Sequence, residues 1–246
     1  MNRIVLIALS ISIISTLAVP AFAADARLEA TSGALATVTQ GDWSAGIRLQ
    51  RDRREFQVGS DLLGLDVDHL LFRFGVAPLS FLSLHGEVGV CTADSTSEKG
   101  EGGLEWGLGG YLRVADFAIE TSPVVGVKEA ISFGIDIAYS QCESNFPDTD
   151  LDWSEWRVNP LISYTRNREG ENRWFFYAPE ALAVRAGPAF VSSEGDYGEQ
   201  SLQENRDFGA RLICDMLWPN DWVLRLDGLF LGSEERQLGL AIERNF

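Results

Sequence analysis

Past its opening two dozen residues the chain lacks any apolar run near the roughly 20 residues that a helix needs to cross a bilayer. A chain of this kind crosses a bilayer only as closed β-strands, because hydrocarbon satisfies no open backbone donor or acceptor. Basic residues are also scarce: 20 Lys+Arg stand against 36 Asp+Glu, for a formal charge of −16. That balance excludes a nucleic-acid partner, whose phosphates require a basic face. Histidine occurs only at His69 and His85, and cysteine only at Cys91, Cys142 and Cys214, with no metal-ligand spacing among them. The 246 residues hold no linker-like or repeated segment, so one domain is expected.

The one long apolar stretch opens the chain. Met1-Asn2-Arg3 supplies a positive charge, and Ile4 to Val19 follows as an apolar run broken only by Ser10, Ser12, Ser15 and Thr16. Pro20-Ala21-Phe22-Ala23 then sets small residues at Ala21 and Ala23, the spacing a leader peptidase needs. A cleaved signal peptide over residues 1–23 and a single domain over 24–246 are therefore expected. Export takes the cysteines to an oxidising compartment, where disulfides form.

Ten stretches of the remainder alternate residue by residue between large apolar side chains and polar or small ones. They run from Trp43 to Arg51, Asp68 to Ala77, Phe81 to Cys91, Gly103 to Val114, Ala130 to Gln141, Glu155 to Arg166, Ala181 to Ser193, Phe208 to Met216, Trp222 to Phe230 and Gln237 to Phe246. A period of two is the mark of a strand with two differently solvated faces. The seventh stretch is weakened by Pro188, which removes a ladder donor. An even count returns both ends of the chain to one side. It also makes Asp52 to Val67, Thr92 to Gly102, Cys142 to Ser154, Glu194 to Asn205 and Gly232 to Glu235 the loops of the other side, and these are polar and acidic. The near side has tight turns at Pro78-Leu79-Ser80 and Pro219-Asn220-Asp221. Ala115 to Glu129 and Asn167 to Glu180 are long for such turns, so eight and twelve strands stay open beside ten.

Trp43, Phe81, Trp218, Trp222 and Phe246 all fall at strand ends on the near side, where a ring with an apolar body suits an interface. The last strand carries Gln237, Gly239, Leu240, Ile242 and the terminal Phe246, with apolar positions every second place before the aromatic end. In these features the chain resembles the small outer-membrane β-barrel proteins of Gram-negative bacteria. Arg244 departs from their pattern, which more often has an apolar or aromatic residue there. The resemblance implies an all-β fold, a single antiparallel up-and-down transmembrane β-barrel in the cell outer membrane. It further implies contact with outer-membrane lipid and lipopolysaccharide, and a last strand read by the barrel-assembly machinery during insertion.

On that reading the alternation turns Arg48, Arg73, Arg113, Arg157, Arg211 and Arg225 into the lumen, facing Glu87, Glu105, Asp136, Asp215, Asp227 and Glu243. The two signs balance without any lysine. An unpaired charge in a narrow low-dielectric lumen costs several kcal/mol, whereas the arginine fork pairs bidentately with carboxylates. A plugged, non-catalytic structural barrel with acidic surface loops is expected; a narrow channel for small solutes is the rival.

Three further features carry chemistry. His69 with Asp66 and Asp68, and His85 with Ser83 and Glu87, hold the ingredients of a general base. Neither has an enzyme's motif spacing, and a satisfied lumen histidine is the commoner role, so no catalysis is expected. Asp148, Asp150 and Asp152 offer hard oxygen at alternate positions, as calcium prefers, but an EF-hand loop would have Gly where Trp153 stands and Glu where Asn159 stands. A solvated acidic loop is the plainer account. Cys91 and Cys142 fall at one level at outer strand ends and are placed to pair, while Cys214 faces the apolar side as a free thiol.

Overall fold

The computed structural model describes residues 43–95, 98–119, 127–147, 149–168, 179–204, 207–218, 221–232 and 235–246. The signal peptide expected over 1–23, together with Asp148 and the middle of each long near-side connection, lies outside these residues. The strands are β1 (Trp43–Val58), β2 (Asp61–Leu79), β3 (Leu82–Ser95), β4 (Gly103–Ile119), β5 (Val127–Phe146), β6 (Thr149–Arg168), β7 (Ala181–Tyr197), β8 (Gln200–Glu204), β9 (Phe208–Trp218), β10 (Trp222–Phe230) and β11 (Arg236–Asn245). All pairings are antiparallel, and β11 returns to β1 over ten register pairs from Ser44↔Asn245 to Arg53↔Arg236. The result is a closed ten-stranded up-and-down barrel, with β8 outside the count, and no helix among the described residues. Closure leaves no open edge. The ends are tied as well: Trp43 N–H donates to Phe246 O and Phe246 N–H to Trp43 O, at 3.3 and 2.8 Å.

Alternation sorts the side chains as two solvents would. Ile47, Leu49, Leu70, Phe72, Phe74, Leu108, Phe133, Ile162, Leu212, Leu226 and Ile242 stand outward and exposed, while Arg48, Arg73, Asp136, Asn159, Arg211, Asp215 and Asp227 are buried inward. An outer surface of this composition is the kind a bilayer solvates. Trp43, Trp222 and Phe246 remain exposed at one end of it.

The strands continue well beyond the ten alternating stretches. Asp52 to Val67, expected as an outer loop, is the upper half of a hairpin: β1 runs to Val58, β2 starts at Asp61, and Gly59 makes the turn at φ 62°. Of the expected loop Cys142 to Ser154, residues 142–146 and 149–154 likewise belong to β5 and β6, and of Glu194 to Asn205, residues 194–197 and 200–204 belong to β7 and β8, with Gly198 at φ 61° between them. The reason is that the parity of the alternation persists while its polarity inverts. Along β1 the inward residues change from Arg48, Gln50, Asp52 and Arg54 to Phe56 and Val58. The outward ones change from Ile47 and Leu49 to Arg51, Arg53, Glu55 and Gln57. Below the change the outside is apolar and the inside polar; above it the reverse holds, as in a water-soluble β-protein.

The wall also narrows there. β10 ends at Phe230 and β11 begins at Arg236, while β8 crosses above them from β7 (Tyr197↔Gln200) to β1 (Val58↔Leu202). β4 begins only at Gly103, and the stretch before it holds on by the isolated bridges Asp94↔Lys99 and Glu101↔Asn145. Seven regular strands thus enclose Phe56, Leu65, Val67, Ala93, Phe146, Leu151, Trp153 and Leu202, none more than 8% exposed. A wall of eight strands already leaves only enough interior for its side chains. Each large residue buried in this cap contributes about 1.5–3 kcal/mol, because water surrounds the alternative.

One weak place lies in the wall. Pairing of β6 with β7 lapses between Val158↔Phe190 and Ile162↔Ala186, where the flanking register sets Pro160 opposite Pro188. Two facing residues without N–H leave the ladder with nothing to donate. Pro188 still sits inside β7, since its other side pairs with Ala210 of β9.

Candidate functional site: the lumen and its seal

Inward parity brings the charged side chains of eight strands into one column, and they alternate in sign along it. Arg211 grips Asp227 through Nε and Nη2 at 3.0 and 2.7 Å and also bonds Asp136, which accepts from Asn159 Nδ2 at 3.1 Å. Arg48 Nη2 reaches Asp227 at 3.2 Å and its Nη1 reaches Glu87 at 3.1 Å. Arg73 Nη1 donates to the same Glu87 at 2.8 Å and its Nε lies 3.4 Å from Glu243. Arg225 joins Glu243 at 3.3 Å to Asp215 at 2.6 Å, and Arg185 closes on Asp215. The sequence Asp136, Arg211, Asp227, Arg48, Glu87, Arg73, Glu243, Arg225, Asp215, Arg185 is therefore one continuous chain of opposite charges with no net charge. In low dielectric Arg211, Arg48, Arg73 and Arg225 are each held between two carboxylates, the condition under which buried ions are tolerated, and Arg185 ends the chain on Asp215.

A second group lies above it, beneath the apolar cap. Arg157 donates to Gln237 at 2.7 Å and pairs with Glu155 at 2.9 Å; Glu155 also takes Arg54 and accepts from Ser193 Oγ at 3.2 Å. Gln237 passes on to Asp52 at 3.2 Å, and Asp52 lies 3.4 Å from His69 Nε2. His69 Nδ1 meets Glu105 at 2.5 Å. Arg113 stands apart at the near-side mouth, donating to Ser80 O at 2.6 Å and pairing with Asp116 at 3.3 Å. That mouth opens into a cavity of about 100 Å³ lined in part by Arg73, His85, Tyr111, Arg113, Arg185 and Arg225.

The structure thus brings eleven of the twelve expected lumen charges into these two groups, with Arg113 below them. Arg54, Arg185, Asp52, Glu155 and His69 complete the groups and were not assigned to them from sequence. Their signal was parity: Asp52 and Arg54 are even-numbered like Arg48, and Arg185 shares its face with Ala183 and Ala189. The expected grouping of His69 with Asp66 and Asp68 does not form, because those two carboxylates point outward beside Arg51, on the opposite face of β2. Ser83, His85 and Glu87 do share a face, but the Glu87 carboxylate is taken by Arg48 and Arg73.

Cys91 and Cys142 are joined in a disulfide with Cα atoms 6.6 Å apart, tying β3 to β5 at the first residues of β4, where Gly103 pairs with Cys91 and Glu105 with Cys142. Cys214 is a free thiol on β9. His69, Glu105 and Cys142 place possible ligand atoms within 4.8 Å of one another, but the sulfur of Cys142 is committed to the disulfide, which leaves two donors. Asp150 and Asp152 are exposed on the outward face of β6 rather than in a loop, and Asp152 accepts from Gln141 at 3.4 Å. Of the residues expected as an assembly signal, Gln237 is a buried member of the lumen, Gly239 faces Arg48, and Leu240, Ile242 and Phe246 stand outward.

The fold and site together define a closed antiparallel β-barrel with an apolar outer band, a charge-paired lumen and an apolar cap. No family model matches the chain, and no curated protein matches it. Among solved structures it is similar to the translocator domain of the autotransporter NalP from Neisseria meningitidis, at 12% identity and a TM-score of 0.40, covering 89% of this chain and 93% of that one. It is also similar to the transport unit of the autotransporter AIDA-I from Escherichia coli, at 8% identity and a TM-score of 0.38, covering 94% and 96%. The N-terminal β-barrel domain of Pseudomonas aeruginosa OprF matches at 11% identity and a TM-score of 0.28, covering 84% and 98%. At overlaps this low none of them lends a functional residue to this chain.

Proposed function

We propose that this chain is an integral outer-membrane barrel that is sealed rather than conducting, with a structural and surface-presenting role. The observation that carries the reading is the double closure of the lumen. A neutral chain of ion pairs fills the ten-stranded section, and the seven-stranded section above it is packed with Phe56, Leu65, Val67, Leu151, Trp153 and Leu202. A solute channel needs a wet path, and both sections oppose one. His69 between Asp52 and Glu105 is enclosed under the cap, so the role is non-catalytic and the histidine is a lumen ligand of its two carboxylates. The partners are outer-membrane lipid and lipopolysaccharide around the band and the barrel-assembly machinery on the last strand. Single-channel recording on pure refolded protein tests the reading: a silent bilayer is expected, and steady conductance overturns it.

A further inference from the structure

The outward face changes character over two rungs of the barrel. Leu240, Leu49 and Leu70 lie side by side on β11, β1 and β2; the next rung outward is Leu238, Arg51 and Asp68; the next is Arg236, Arg53 and Asp66. Ten residues separate Trp43 from Arg53, about 33 Å of strand, which at a tilt of about 40° rises about 25 Å. That is the height of the apolar band of a transmembrane barrel. Arg53 and Arg236 therefore stand at the far rim of the band, at headgroup level.

Their placement is unfavourable as it stands. They are direct partners across β1 and β11, and like charges directly opposite destabilise a strand pair. Among the described residues neither lies within ion-pair distance of a carboxylate. Asp66, the other neighbour of Arg53 in its rung, leans to Arg51 at 3.9 Å, and Asp68 leans to the same arginine at 3.7 Å. The lumen arginines, by contrast, are consistently matched. A groove of about 320 Å³ runs between these residues, lined by Arg51, Arg53, Asp66, Arg236 and Leu238.

The geometry points to a binding site for the phosphate of a lipid headgroup in the outer leaflet, held between Arg53 and Arg236 with its acyl chains along Leu238 and Leu240. A phosphate accepts from two guanidinium forks at once and relieves their repulsion. The apolar rungs beneath fit a phosphate that arrives attached to hydrocarbon. This site rests on the membrane reading above and adds to it a particular lipid contact.

The test uses the refolded chain in detergent micelles, with bis-phosphorylated lipid A and the same lipid stripped of phosphate as probes, and native mass spectrometry to count bound lipid. The wild type is expected to retain the phosphorylated form, and R53Q/R236Q to hold it at least about tenfold more weakly. The stripped lipid should bind both proteins alike. Equal retention of the two lipids by the wild type, or no loss in the variant, overturns the site. Displacement by inorganic phosphate at matched concentration overturns its lipid source. Because the substitution removes a repulsion, the lipid-free variant should unfold at the same or higher urea than the wild type, so its folding is checked independently. A boiled and unboiled gel comparison separates the two claims: a heat-modifiable band without lipid retention sinks only the site, while the absence of that band sinks the membrane reading as well.

Discussion

At the scale of single residues, the value of an arginine here depends on which side of the wall it occupies. Arg211 spans Asp227 and Asp136 in the lumen, so Arg211→Met leaves two carboxylates short of a partner. We expect it to cost about 3–5 kcal/mol, read as a fall in the urea midpoint of the refolded barrel. Arg166 pairs with Glu129 at 3.6 Å with its side chain 57% exposed, and Arg166→Gln should cost less than about 1 kcal/mol in the same measurement. A similar loss in both variants would mean that the lumen is hydrated and its ions screened. The balance of the lumen could be read from the chain, because parity alone sends Arg48, Arg73 and Asp136 inward. Who pairs with whom could not: Arg48 meets Asp227 across 179 residues of sequence, and only the closed register brings them together.

At the scale of elements, strand count and order followed from alternation, whereas strand length did not. Alternation marks a membrane strand only while its outward residues stay apolar. β1 was therefore expected to stop near Arg51, although Phe56 and Val58 continue the inward face to the hairpin tip. β8 is not legible for a related reason, being five residues long and polar in composition, with Leu202 as an inward anchor. The Cys91–Cys142 bridge stands at the first residues of β4, in the wall of the cap, and closes 51 residues of sequence. A loop of that length corresponds to about 4 kcal/mol of loop entropy. Reduction should therefore lower the unfolding midpoint and expose the hairpin tips around Gly59 and Gly198 to protease, while the heat-modifiable band persists. Unchanged protease resistance after reduction would show that packing alone holds the cap.

At the scale of the whole molecule, the proposed function has the two sections of the lumen block passage in series, so that opening one leaves the other in place. The double substitution L202D/W153D should loosen the cap yet leave planar bilayers silent, because the chain from Asp136 to Arg185 still fills the ten-stranded section. Adding R48A and R225A to it should produce conductance, whereas conductance from the cap variant alone would assign the whole barrier to the cap. The inversion of polarity along β1 has a consequence for how such a molecule reaches its place. The inward apolar residues of the cap gain from association only in water, while the outward charges beside them are costly in hydrocarbon. On the proposed membrane reading the hairpin tips traverse the bilayer before their own core forms, and once across they condense into a packed core whose outward charges resist return through hydrocarbon. The cap then acts as a ratchet pawl, making insertion directional without any energy source in the membrane itself.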